Sequence, residues 1–155
     1  MSEAGFTSTV FEDAWHHTDN HIFRSERHQV MAIADIAPRL PLQVVVAHRS
    51  GYPGRDVGFS DLSTLHKRKL NEVAGAVGEK MAKHITEGQR VITHSEGFGV
   101  PDHPHIVLFA AARKEGERLY NGPPLGAIAV QNTIEVVKFT PVEAESLEAR
   151  LDHVV

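Results

Sequence analysis

The stretch Leu42-Gln43-Val44-Val45-Val46-Ala47 restricts the fold more than any other part of the chain. Its β-branched residues suit a pleated strand and crowd a helix. Pro38 and Pro41 stand just before it. Proline has no amide hydrogen for a ladder or a helix, so Asp35-Ile36-Ala37-Pro38-Arg39-Leu40-Pro41 reads as a connector. In the strand that follows, residues two apart share a face. Gln43, Val45 and Ala47 therefore point the same way. Gln43 is a polar residue at the head of a buried run and needs a hydrogen-bond partner. A bond to nearby backbone is the plain way to satisfy it.

Other elements can be read around this strand. Gln29 to Ala34 alternates loosely. His48 to Ser60 reads as a loop with Gly51, Pro53, Gly54 and Gly58 and the basic residues Arg49 and Arg55. Asp61 opens a helical pattern in which Leu62, Leu65, Val73, Val77, Met81 and Ile85 recur at near-helical spacing, with Gly88 as the stop. The positive run His66 to Lys69 reads as a solvated face. Ala74, Gly78 and Ala82 form a small-residue row suited to close packing on a sheet. Arg90 to His94 and His105 to Ala112 are two further strands, separated by a Gly-rich turn. Arg113 to Pro124 is a charged loop. The spacing from Ala127 to Phe139 predicts one or two strands, with Gln131-Asn132 as a turn. Thr140-Pro141-Val142-Glu143 is a helix start, with Thr as N-cap, Pro at N1 and Glu closing a capping box. Strands with segregated helices imply an α+β fold with a mainly antiparallel sheet of about five strands, one long helix and a short C-terminal helix over about 141–152.

A chain of 155 residues fits one domain, 1–155, with a loose terminus over about 1–9. The net charge of −4 argues against non-specific nucleic-acid binding, which needs a basic face. It leaves room for a small phosphorylated substrate, which needs only a local pocket. The absence of cysteine removes disulfides and thiolate metal sites. No apolar run has the length of a membrane span, and no basic segment followed by an apolar one marks a signal peptide. A cytoplasmic protein is the expectation.

The chemistry-bearing residues are histidines, of which there are 11. His17 and His21 have the spacing of a helical metal pair, but Thr18-Asp19-Asn20 between them favours a turn. His103 and His105 enter an apolar strand and project side by side on one face. Such a pair can supply a nucleophile or half of a metal site. It can also be incidental.

The order of these pieces resembles the histidine-triad (HIT) family. That family reads Asp-x-x-Pro-x-x-Pro-Gly-His, then Asp-Leu opening a helix, then a Gly turn and His-x-His-x-His on a later strand. Asp35 through Gln43 is similar to the first block without a gap, and Asp61-Leu62 matches the helix start. Glu96-Gly97 through Val100-Pro101 resembles the approach to the triad, and His103-Pro104-His105-Ile106-Val107 the triad itself. The likeness spans roughly residues 10 to 115. Three departures stand out. Leu42 and Gln43 replace the Gly-His pair, Val107 replaces the third histidine, and the Gly turn lacks a Gln-Ser pair. His-Pro-His also resembles the galactose-1-phosphate uridylyltransferase branch, whose further Gln is absent at Val107.

The resemblance implies a HIT-like fold, with His105 as nucleophile and His103 supporting it. It implies substrate contacts from Gln43, Asp35, His94, Ser95, Gly99 and Arg113, with neither a metal nor a cofactor required. A neutral imidazole attacks the α-phosphate of a nucleotide, giving a nucleotidyl-histidine that is then hydrolysed. Each missing donor to the phosphoryl oxygens costs ~10²–10³ in rate. His48, His94, Arg113 or Lys114 can replace one. His48 has the wrong strand parity relative to Gln43, and His94, at the end of the strand before the turn, is the better candidate. Three readings stay open: a HIT-type hydrolase, phosphoramidase or transferase; an impaired member that binds a nucleotide or partner without turnover; and a metal-dependent enzyme using His103 and His105 as ligands. A HIT scaffold redirected to another substrate is a variant of these. The resemblance also implies a homodimer, paired through the helix and a sheet edge.

Overall fold

The computed structural model describes residues 14–49, 64–96, 105–111 and 125–155. The expected loose terminus, the Asp61-Leu62 helix start and the loop from Arg113 to Pro124 lie outside those residues. Five strands form one antiparallel sheet: β1 (His21–Ser25), β2 (Val30–Ala34), β3 (Val44–His48), β4 (Arg90–Glu96) and β5 (His105–Ala111). Their order across the sheet is β1-β2-β3-β5-β4, with every neighbouring pair antiparallel. Among the described residues, the helices with both ends in view are α1 (Thr64–Met81), α2 (Ala127–Val137) and α3 (Pro141–Asp152); residues 14–16 are also helical. This is the α+β architecture that the alternation of patterns implies.

Helices α1, α2 and α3 pack on one face of the sheet. Val30, Ala32, Ala34, Val44, Val46, Ile106, Leu108 and Ala110 meet Leu70, Val73, Val77 and Met81 of α1, together with Val137 of α2 and Leu147 and Leu151 of α3. The other face carries two smaller clusters. Leu40 folds from the connector onto Val107, Phe109 and Ala111. Trp15 covers Met31 and Ala47.

Two local readings change. Residues 127–137 are helical, not one or two strands. Short β-branched runs look alike in either state by periodicity, and packing decides. Thr133 and Val137 are buried with Val130 and Ile134 against the core, which is helical spacing, while Gln131 and Asn132 are exposed. The Thr133 hydroxyl donates to the Ala129 carbonyl, 3.0 Å away. The second change is β1, a strand where the His16-to-His21 stretch suggests only a turn. The turn is present as a 3₁₀ segment, Thr18–Asn20, immediately before it.

Helix α3 begins with the capping box that its sequence predicts. Glu143 also pairs with Lys80 of α1. The Lys80 hydrogen bond, with the Thr140 amide, holds the Glu143 carboxyl at about 2. At its far end, α3 is tied to the β1–β2 turn. Arg27 donates twice to Asp152, at 3.0 and 2.8 Å, and His28 Nε2 lies 2.7 Å from the same carboxylate. Those bonds, His28 first, hold Asp152 below the usual carboxylate range.

His48 ends β3 on the helix-covered side, buried to 3% exposure. Its Nε2 is 2.8 Å from the His66 carbonyl and its Nδ1 is 3.2 Å from that of Gln29. Burial lowers its pKa, partly offset by those carbonyls. Burial also lowers the pKa of His21, whose Nε2 lies 2.8 Å from the Ala14 carbonyl. Both rings are therefore favoured neutral in the folded chain. An unfolded chain takes up their protons first as pH falls, so this stability is present above about pH 6.5 and is lost on acidification. Thermal unfolding followed from pH 7.5 to 5.0 should show a falling melting temperature, and His48→Gln should flatten the slope. An identical slope in the variant would remove His48 from the explanation.

Candidate active site

Antiparallel register fixes which side chains meet on the face away from the helices. Across β3 and β5, Ala47 pairs with His105 and Val45 with Val107. Across β4 and β5, His94 pairs with Val107 and Glu96 with His105. Directly opposed residues share a face. His105 and His94 therefore lie on the same face, on adjacent strands and two positions apart. That diagonal is about 7–8 Å between backbones, within reach of two imidazoles. His105 is half-buried and His94 is exposed. His94 thus stands across from the place, Val107, where the resembled pattern has its third histidine.

Gln43 lies on the same face but is spoken for. Its Oε1 accepts hydrogen bonds from the amides of Arg39, at 2.8 Å, and Leu40, at 3.0 Å. Its Nε2 donates to Asp35 Oδ2 at 2.9 Å. Asp35 Oδ1 accepts from the Ala37 amide, also at 2.9 Å. The two side chains knit the connector that both prolines punctuate. In register, Gln43 is four residues from Ala47 and so from the level of His105. At ~3.3 Å per residue this is about 13 Å. Gln43 and His105 do not enclose one anion-sized pocket. Asp35, next to Gln43, stands at the same distant level.

Leu42, in place of the family's glycine, has φ +56°. That region costs an L residue roughly 1–2 kcal/mol. Its side chain is buried in the main core, and burial of a leucine contributes about 1.5–3 kcal/mol. Burial therefore offsets the strained backbone, and the glycine can be dispensed with.

The remaining expected residues divide simply. Ser95 pairs through its backbone with Ile106, one residue out of step with His94. His103, Gly99 and Arg113 lie outside the described residues. His48 is on the helix side with its nitrogens against two carbonyls, so it is remote from His105 as its parity implies. The His17/His21 spacing makes no helical metal pair, because His21 begins a strand and bonds to Ala14. Among the described residues, no three His, Asp or Glu side chains converge as metal ligands. None of the described helices is long and apolar enough to cross a membrane.

Several solved structures superpose on this arrangement. A Hit-like protein involved in cell-cycle regulation from Bartonella henselae, solved with an unknown ligand, covers 83% of this chain and 93% of its own, with a TM-score of 0.58 and 14% identity. A zinc-bound histidine triad family protein from Mycobacterium smegmatis covers 92% and 99%, at 0.59 and 15%. A hypothetical histidine triad nucleotide-binding protein from Sulfolobus tokodaii covers 94% and 97%, at 0.59 and 12%. The chain has the histidine-triad fold. By sequence, no family model and no curated protein matches it. The likeness is one of fold, at 12 to 15% identity.

The Gln43 bonds give a direct test of its part in this histidine-triad scaffold. Gln43→Ala strips the acceptor from two backbone amides, a loss of about 1–3 kcal/mol per stranded buried group. Denaturant unfolding should show a lower midpoint with an unchanged slope. Stability equal to wild type would mean that the connector does not depend on this amide.

Proposed function

We propose that the protein is a histidine-triad-type nucleotide-binding enzyme that cleaves at an α-phosphate through His105. It acts as a phosphohydrolase or phosphoramidase, or as a nucleotidyl transferase. The observation carrying this reading is that His94 pairs with Val107 on the face and strand neighbouring His105. A second imidazole thus stands on the neighbouring strand, on the face that carries His105.

The chemistry follows from those two rings and from His103. A neutral ring nitrogen of His105 attacks the phosphorus in line. A nitrogen–phosphorus bond forms, and the bond to the leaving group breaks with its electron pair. His94 donates a hydrogen bond to a phosphoryl oxygen or a proton to the leaving group. Either role favours the transition state more than the ground state. Water, or an acceptor hydroxyl in a transferase, then displaces the histidine and releases the nucleotide. Asp35 and Gln43, bonded to each other and to the connector at the other end of the face, are left out of this chemistry.

A second reading has its own support. Val107 offers no donor, and the Gln43 amide is occupied by the connector. A chain with these two features can bind a nucleotide and turn it over no faster than background. The proposal also includes a two-fold dimer. β4 is an edge strand, and beside it Asn71, Ala74, Gly75 and Gly78 of α1 leave a groove of about 370 Å³ against Val91, Thr93, Ile106 and Leu108. Ala74 and Gly78 of the small-residue row pack close to the sheet and also border this groove.

Kinetics on an adenylyl phosphoramidate and on a dinucleoside polyphosphate separate the two readings. If His94 serves the reaction, His94→Ala should lower kcat/KM by about 10²–10³ on whichever substrate is used, with the fold intact by circular dichroism. Wild-type turnover no higher than that of His105→Ala would leave the binding reading standing and remove the enzymatic one.

A further inference from the structure

Helix α3 meets the rest of the chain through little apolar surface and many polar ties. Of its 12 residues, two are buried, Leu147 and Leu151. Both enter the main core, with Ala144 packed against it from outside. Two open clefts flank the seam between α3 and α1. One, of about 310 Å³, is bordered by Lys83 of α1, by Phe139, and by Val142, Ser146 and Arg150 of α3. The other, of about 640 Å³, lies where Arg68 and Asn71 of α1 face Arg150 and His153. Close packing is therefore confined to a strip beneath the two leucines.

Polar ties hold both sides of that strip. Towards α1, Lys80 pairs with Glu143, and Arg150 pairs with Glu72 and, at 3.7 Å, with Glu79. Towards the β1–β2 turn, Arg27 and His28 hold Asp152, and Ser25 Oγ donates to Glu148 Oε1 at 2.6 Å. Glu143 and Asp152 both lie below the usual carboxylate range, through Lys80 first in one case and His28 first in the other. Both carboxyls therefore stay ionised at neutral pH. Each of these two ties has one well-buried member, since the Lys80 side chain is 16% exposed and that of His28 is 7%. Stripping the carboxylate from such a group costs more than breaking a surface pair.

The closed arrangement also leaves one group unsatisfied. His28 Nδ1 is buried and has no hydrogen-bond partner among the described residues. Water reaches it once α3 lifts, so opening recovers part of what it loses. α3 also lies against β1, the strand that ends the sheet on that side. Two residues before the helix, the Phe139 amide donates to the β1 carbonyl of Ile22 at 3.0 Å.

We infer that α3 is a strap held shut by its charged ties, which opens as a unit and bares the β1 edge while α1 and the sheet stay folded. Segments with few buried apolar contacts are the ones that open below the global unfolding limit. Nothing in this strap depends on the chemistry at His105.

Hydrogen exchange of the full chain, followed by mass spectrometry at one pH, reads the strap directly. Glu143→Gln, which keeps an acceptor for the capping box, and Asp152→Asn should each speed exchange across 141–152 about tenfold or more. The amides of α1, β2, β3 and β5 should exchange as in wild type. Sodium chloride at about 0.5 M should speed exchange of α3 roughly threefold or more in the wild-type chain, by screening the exposed members of the ties. In the double variant the same salt should change it less than about twofold. Leu147→Ala should speed exchange of α3 and leave the salt response in place, which separates apolar from charged attachment. If the double variant unfolds, the two single variants carry the test, each with a reduced salt response. Acceleration shared equally by α1 and the strands overturns the inference. So does exchange of α3 that ignores both substitutions, or a salt response that survives them undiminished.

Discussion

Helices α1, α2 and α3 lie on one face of the sheet, and the placement of His105 depends on that packing. Because strand residues alternate, coverage of one face commits the odd-numbered residues of β3 and β5 to the other. Val44, Val46, Ile106 and Leu108 go into the helix-packed core. Val45, Ala47, His105 and Val107 go to the opposite face. A slip of β5 by one residue would turn its side chains over and bury the polar imidazole against leucine and valine. The hydrophobic demand of the core thus holds the catalytic candidate in place, without any bond to the imidazole being required.

The departures from the family pattern share a physical logic. Leu42 adopts a backbone conformation that suits glycine, and its buried side chain offsets the strain. Gln43 accepts two amide hydrogens and donates to Asp35, a set of bonds that one imidazole nitrogen acceptor cannot supply. The connector has become a self-satisfied structural unit at the end of the face. Val107 has likewise become core, packed with Leu40 and Phe109. The same face carries His105 and His94 at its other end, near the Trp15 cluster.

Much of this was legible in the sequence, and the exceptions have identifiable causes. The β3 run, the α1 periodicity and the Thr140 capping box specify their elements by local chemistry, and all three are found. The opposite parities of His48 and of Val45 and Ala47 also follow from period-two alternation. Residues 127–137 mislead because a β-branched apolar segment carries no clear period, and packing against the core makes it helical. β1 is obscured because His16, His17 and His21 draw attention to metal spacing, whereas Ile22 and Phe23 are the residues that bury. The separation of Gln43 from His105 could not be read at all. Sharing a face is a matter of parity, but distance along the face needs the register between strands.

Covalent capture at His105 decides between an enzyme and a binder. An acid-labile adduct should be sought by mass spectrometry after a reaction with an adenylated substrate is quenched at alkaline pH. A nucleotidyl mass increment on the peptide containing His105, absent from His105→Ala, is the expected result. Substrate consumed by the folded His105→Ala variant at the wild-type rate, or an adduct on a different histidine, would contradict His105 as the nucleophile.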